Sequence, residues 1–294
     1  MIHVVFAPDD NYVMQTVVAM TSLLENTRDE VTIHVLYLEN HLTKENILKL
    51  QSTVCLYNAQ FEEVPVNESL IKGFPILRHG PAAYLRILAP YVLPDINKIL
   101  YIDGDVIVDK SIAELYDIDV SKYEFAAVGD LVYVVDEDYL QSIGFKSGRI
   151  YINTGVLLMN LKRLREIDIL TKVQSYVVMY WKSIRYSDQD LLNCTCDNVL
   201  ILPPKFNSII HLWNKNVQHC RKLWSDSEIE EAKENPVIIH YLGGLKPWKY
   251  EIPHPFKNKW YVYLDKTIFE GWRPPKTIRK IFSKYKSMLL YRFK

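Results

Sequence analysis

An α/β fold with a mostly parallel central sheet is the architecture this sequence predicts. Short apolar runs rich in β-branched residues alternate with stretches whose apolar residues recur at helical spacing, the pattern of βαβ units. Within the 294 residues no internal repeat and no low-complexity linker interrupts that alternation. Hydrophobic residues make up 49% and charged residues 24%, an ordinary globular balance that excludes disorder and collagen-like repeats.

The first strand is expected over His3–Ala7 (HVVFA). A helix follows, with Val13, Val17, Met20, Leu23 and Leu24 at helical spacing. Val31–Leu38 (VTIHVLYL) reads as the second strand, and Thr43–Leu56 as a helix with Thr43 at its N-cap. Phe61–Val66 is a third strand, and Lys98–Ile102 (KILYI) a short buried one ending at Asp103-Gly104-Asp105. Phe125–Val128, Thr154–Asn160 and Val237–His240 complete the strands, the last preceded by a helix with a capping box at Ser225 and Glu228. Residues 1–255 therefore read as one domain and 256–294 as an extension, with Pro253, Pro255 and Pro274-Pro275 punctuating the exit.

No apolar run reaches the roughly 20 residues of a spanning helix, and the start MIHVVFAPDDNY lacks a basic segment followed by an apolar one. The four cysteines are accordingly expected as free thiols in a reducing compartment. Net charge is zero, yet Trp272–Lys294 holds eight Lys/Arg and no acid, leaving 27 basic against 35 acidic groups elsewhere. An acidic body with a basic appendage argues against nucleic acid and for an anionic surface as partner.

Ligands of open α/β sheets bind beyond the carboxyl ends of the strands. Asp103-Gly104-Asp105 stands there, and two carboxylates flanking a glycine suit a hard cation bridged to phosphate, although Asp-Gly alone is also a turn pair. Ala7-Pro8-Asp9-Asp10-Asn11 follows the first strand. Ser187-Asp188-Gln189-Asp190 marks a helix start, and His240-Tyr241-Leu242-Gly243-Gly244-Leu245-Lys246-Pro247-Trp248 follows the last strand. Singly these read as an N-cap, a buried imidazole and a solvated lysine; together they suit a metal-bound diphosphate. Cys194-X-Cys196 reads as two buried thiols, and His79 and His211 as structural or exposed. Trp213, Trp224 and Trp248 are placed at an acceptor groove.

With Tyr84-Leu85-Arg86 and Asn153-Thr154-Gly155-Val156-Leu157-Leu158-Met159-Asn160-Leu161 added, six ordered blocks resemble glycosyltransferase family 8, in its bacterial retaining branch that builds lipopolysaccharide or lipooligosaccharide. The resemblance implies a GT-A, Rossmann-like fold and a UDP-hexose donor, galactose or glucose. It implies that Ala7, Asp9 and Asn11 hold uracil and ribose, and that Asp103, Asp105 and His240 ligate manganese, with magnesium as the alternative. It further implies Gly104 among the substrate-binding residues, Gly243 and Lys246 at the diphosphate, Arg86, Asp103, Asn153, Asp188 and Gln189 around the sugar, and Asp130 toward a glycan or glycolipid acceptor. Gln189 and Asp188 would serve catalysis. Because an amide is a poor nucleophile, a front-side route is preferred over a covalent adduct on Asp188 or Asp190. Pro8, Ala83 and Ser187 depart from the family pattern, the last two near the sugar or the acceptor.

Two other classes compete: a sugar-nucleotide pyrophosphorylase, which needs a Gly-rich basic loop after the first strand, and a non-catalytic glycan-binding module, which needs a decayed site. In the extension, Pro275 is expected in the first turn of a helix whose Ile278, Ile281, Phe282, Tyr285, Met288 and Leu289 share one face. Such a basic amphipathic helix suits an anionic membrane, which places the protein in the cytoplasm against the inner face of the cytoplasmic membrane. The alternative is a helix packed on the acidic body.

Overall fold

The computed structural model describes residues 1–291 except His79, Lys215, Glu251 and Pro253, with side chains described as far as Ser287. Ten strands are found among the described residues: β1 (Ile2–Phe6), β2 (Val31–Leu38), β3 (Gln60–Val66), β4 (Lys98–Ile102), β5 (Val106–Val108), β6 (Phe125–Gly129), β7 (Ile152–Asn160), β8 (Val199–Leu202), β9 (Ser208–Ile209) and β10 (Ile238–His240). Seven form a central sheet in the order β3-β2-β1-β4-β7-β6-β8, and β5-β10-β9 form a small second sheet. The pairs β1–β2, β2–β3, β1–β4 and β6–β8 are parallel, whereas β7 runs antiparallel to both β4 and β6.

Successive side chains of a strand point to opposite faces, and here both faces are covered by helices. Val4, Phe6, Leu100 and Ile102 join the core under the helices Val13–Asn26 and Lys44–Cys55. Val5, Ile99 and Tyr101 join the core under the helices Leu85–Val92, Leu161–Glu166 and Ile169–Tyr180. Thr43 caps its helix through the Asn46 backbone N–H, and the Ser225–Glu228 capping box is complete.

The reversal of β7 builds the functional edge. Ile102 at the end of β4 pairs with Val156, and the Asp103 N–H donates to the Gly155 carbonyl at 2.8 Å. Gly129 at the end of β6 pairs with Ile152. In the small sheet His240, ending β10, pairs with Val106, starting β5. Strand ends carrying Asp103, Asp130 and His240 therefore meet strand starts carrying Asp105 and Asn153.

Packing continues past residue 255. The helix Lys257–Leu264 inserts Trp260, fully buried, among Val18, Ile107, Ile239 and Tyr241. The last helix spans Ile278–Tyr291, so Pro275 lies three residues ahead of it rather than in its first turn. Ile278, Phe282 and Tyr285 are 76%, 72% and 63% exposed, so this apolar face is not covered by the body. Met288 and Leu289, expected on the same face, lie outside the described side chains. The Lys276 and Lys284 ammoniums sit over the Tyr250 ring at 6.0 and 5.4 Å. No helix among the described residues is long and apolar enough to cross a membrane.

Candidate active site

Asp103, Asp105 and His240 converge at the sheet edge, with one ligand atom from each lying within 4.8 Å of the others. Two close approaches make room for this. A Cβ on Gly155 would drive into the His240 ring, 2.8 Å from Nδ1, and come within 3.0 Å of Asp103 Oδ2. A Cβ on Gly104 would lie 2.5 Å from Thr16 Oγ1 on the first helix. Sterics thus favour glycine at both positions, and the Asp-Gly-Asp turn can press against the helix Val13–Asn26.

Lys246, expected on a turn after β10, is buried; its ammonium donates to the Tyr241 carbonyl at 2.7 Å and to Asp105 Oδ2. Burial alone would raise the Asp105 carboxyl; the Lys246 ammonium, then His240, outweigh it and hold the group well below the usual carboxylate range. Asp105 Oδ1 is buried without a hydrogen-bond partner, 3.3 Å from His240 Nε2. A buried anionic oxygen facing a ring nitrogen is costly unless a cation joins them, so the donor set fits a divalent metal.

Behind the trio lies a buried polar wall. Arg86 Nη2 donates to Asp103 Oδ1 at 2.8 Å, its Nε lies 3.1 Å from Asp188 Oδ2, and its guanidinium stacks 4.2 Å over Tyr101. Asp188 Oδ2 also accepts from Thr154 Oγ1 at 2.8 Å. Burial raises the Asp188 carboxyl to about 6; Arg86 opposes that and Asp103 adds to it. Gln189 Oε1 accepts from the Thr154 N–H at 3.2 Å and from Asn153 Nδ2 at 3.3 Å. Asp130 Oδ2 accepts from Asn153 Nδ2 at 2.9 Å and from Gln189 Nε2 at 3.4 Å.

The helix Asp188–Thr195 is held to β7 by Asn193, which exchanges two hydrogen bonds with the Ile152 backbone at 2.7 and 2.9 Å. Ser187 precedes it with φ 47° and ψ −122°, a turn conformation that aims Asp188 inward instead of leaving it to cap the helix. Neither Asn193 nor Asn207, which bonds His240, was anticipated from the sequence. Both act across the fold, and no local spacing marks them.

After β1, Ala7 is half-buried, and Asp9 Oδ1 accepts from the Asn11 N–H at 2.9 Å, closing a turn. Asp10 instead fastens the start of the next helix, accepting from the Thr43 N–H and Asn46 Nδ2, each at 2.8 Å. Tyr12 meets Trp248 edge-on at 6.1 Å. Partial burial of the Tyr12 phenol, then Asp105, Asp103 and Asp9, push it up. Gly243 has φ +65°, and the loop it opens returns Lys246 to Asp105.

One expectation about this site is corrected, the placing of Trp213 and Trp224 at an acceptor groove. Asp190 is fully buried and saturated: its oxygens accept from the Tyr139 and Tyr151 hydroxyls, each at 2.5 Å, and from the Arg185 and Tyr186 N–H groups at 2.9 and 2.8 Å. Its lone pairs are taken up by four donors within the core. Trp213 and Trp224 belong to the core, where Trp213 packs on Phe256, and only Trp248 of the three stands at the site. Cys194 and Cys196 are free thiols with no second pair beside them among the described residues. His211 bonds Asn216 at 3.0 Å, while His79 lies outside the described residues.

This sheet, with a carboxylate–imidazole cluster at its edge, is a GT-A glycosyltransferase architecture. A solved structure of galactosyltransferase LgtC in complex with donor and acceptor sugar analogues matches with TM-score 0.80 and 26% identity, covering 96% of this chain and 100% of that one. The family model "Glycosyl transferase family 8" matches residues 3–251, and the chain belongs to that family. Among its relatives, general stress protein A of Bacillus subtilis is 27% identical over 271 residues, covering 90% of this chain and 93% of that protein. Lipopolysaccharide 1,2-glucosyltransferase of Escherichia coli is 24% identical over 306 residues, covering 98% and 86%.

Proposed function

We propose that this glycosyltransferase moves a hexose, galactose or glucose, from its UDP derivative to a hydroxyl of a glycan or glycolipid, as in lipopolysaccharide or other surface-glycan synthesis. The anomeric configuration is retained and the new linkage is α. The observation that carries the reading is the Asp103–Asp105–His240 cluster with the Lys246 ammonium against it. The relatives named above, with lipopolysaccharide and galactose in their names, support the substrate class.

Asp103, Asp105 and His240 would hold the divalent ion, and their mixed oxygen–nitrogen set favours manganese over magnesium. When bound, that ion supplies a positive charge that stabilises the diphosphate leaving group. Lys246 adds a second cation on the same side and is freed from Asp105 as phosphate arrives. Gly104 and Gly243 keep the backbone close to the phosphates. Ala7, Asp9 and Asn11 take uracil and ribose, with the Asp9 carboxylate accepting from a ribose hydroxyl or the base N–H.

Arg86, Asp103, Asn153, Asp188 and Gln189 surround the sugar, and Asp130 faces the acceptor. As the glycosidic bond breaks, positive charge grows on the anomeric carbon, and the Gln189 amide oxygen and Asp188 carboxylate stabilise it. The acceptor hydroxyl enters from the leaving-group side and gives its proton to a phosphate oxygen. The full occupation of Asp190 by four donors, and of Asp188 by Arg86 and Thr154, supports this front-side route over a covalent adduct.

A pyrophosphorylase is disfavoured because HVVFAPDDNY carries no Gly-rich basic loop. A binding module without catalysis is disfavoured by the intact cluster. The exposed apolar face of Ile278–Tyr291 with its lysines supports peripheral contact with an anionic membrane from the cytoplasmic side, where a lipid-linked acceptor would be met. UDP release from a panel of UDP-sugars, with the anomer of the product read by NMR, tests the proposal. Release from UDP-galactose or UDP-glucose and an α-linked product are expected; a β-linked product would overturn it.

A further inference from the structure

We propose that Asn207 is a positioning residue that fixes the protonation pattern of His240 and thereby prepares the metal site. The inference rests on the metal reading given above and adds a residue which that reading does not contain. Asn207 ends the short 3₁₀ turn Pro204–Asn207, just before β9, and is buried between the two sheets. Its Nδ2 donates to Asn153 Oδ1 at 2.8 Å, and its Oδ1 lies 2.9 Å from His240 Nδ1.

The direction of every bond in this chain follows from one group that cannot be reversed. The Gly155 backbone N–H can only donate, and it donates to Asn153 Oδ1 at 3.0 Å. That atom of Asn153 is therefore the oxygen, and Asn207 must face it with its NH₂. Asn207 then turns its oxygen toward His240, so Nδ1 must carry the proton. A second fixed donor agrees: the Thr154 N–H sets Gln189 Oε1 as an acceptor, which leaves Gln189 Nε2 and Asn153 Nδ2 to share Asp130 Oδ2.

With Nδ1–H committed to Asn207, the neutral His240 ring leaves its lone pair on Nε2, which faces Asp105 Oδ1, the buried oxygen without a partner. Asn207 thus denies the neutral His240 ring the alternative tautomer, which would donate Nε2–H to Asp105 and close the site on itself. Outer-shell partners of this kind orient ligating imidazoles and set their basicity. The chain continues through Asn153 to Asp130 and Gln189, so the same residue ties the imidazole to the wall expected to face the sugar.

Two readouts on the full chain test this, at about pH 8, where an ordinary imidazole is neutral. Mn(II) binding is followed by EPR for wild type, Asn207→Ala and Asn207→Asp. The proton on the His240 ring of the metal-free proteins is located by two-dimensional NMR of ¹⁵N-histidine. Nδ1 carries the proton in wild type; in Asn207→Ala it moves to Nε2, and Mn(II) affinity falls about 10- to 100-fold. Asn207→Asp keeps an acceptor for Nδ1–H though it loses the bond to Asn153, so the proton stays on Nδ1 and Mn(II) affinity stays above that of Asn207→Ala. An unchanged ring pattern in Asn207→Ala would overturn the inference, as would Mn(II) affinity equal to wild type. If wild type itself binds no Mn(II), the metal reading fails, and the ring pattern alone decides for or against Asn207.

Discussion

At the scale of single residues, the two carboxylates and the amide of the 188–190 segment have different work, and substitution separates them. Asp190 holds four donors in a site with no solvent, so Asp190→Asn should destabilise the fold by about 3 kcal/mol, the cost of losing charged hydrogen bonds in the interior. Chemical denaturation reads this; a stable variant with lost activity would instead return Asp190 to catalysis. Gln189→Ala should slow transfer about 10²-fold without changing the anomer of the product. Asp188 carries a stability cost that function retains. Its carboxyl is raised from 3.8 to about 6, so the folded state binds that proton more tightly than the unfolded chain. Stability from this group is therefore lost as pH rises from about 4 to about 6. In metal-free protein, Asp188→Asn should gain on wild type by up to about 3 kcal/mol between pH 4 and pH 7. Parallel pH dependences of the two unfolding free energies would contradict the assignment.

At the scale of elements, what the sequence made legible was local. Val31–Leu38 and Lys98–Ile102 are continuous apolar runs, and both form strands with those limits. Thr43 and the Ser225–Glu228 pair announced helix starts because a cap is a short-range hydrogen bond. The strands Val106–Val108 and Ser208–Ile209 were missed because two or three residues give no periodicity; they exist through pairing with β10, more than a hundred residues from β5. The candidate site divides the same way. Asp103, Asp105 and His240 stand out by their place near strand ends, but it is the family resemblance that implies they share a metal. Asn193 and Asn207, and the tyrosines that close Asp190, act through contacts that only the fold creates. The last helix belongs to this scale too. Its exposed Ile278, Phe282 and Tyr285, with the lysines around them, should bind anionic vesicles through apolar and charge terms together, each surface-proximal cation contributing about 1 kcal/mol. A chain ending at Gly271 keeps the buried Trp260 and should retain activity on soluble acceptors while losing vesicle sedimentation. Equal partitioning of the full and shortened chains would show that the helix has no membrane role.

At the scale of the whole molecule, two sheets share one edge, and the reversed β7 brings residues from six strand ends to it. The Asp103–Asp105–His240 trio at this edge, by holding a divalent cation, would drive transfer from a UDP-hexose. The most direct measurement is the rate of UDP release by the full chain, supplied with UDP-galactose or UDP-glucose and acceptor, in Mn(II), in excess chelator, and after Mn(II) is restored. Turnover is expected in Mn(II), with loss in the chelator and recovery on restoration, and Asp103→Ala, Asp105→Ala and His240→Ala are expected to be folded yet lowered by at least about 10³-fold. Full turnover in the chelator, or by any of the three variants, would contradict it.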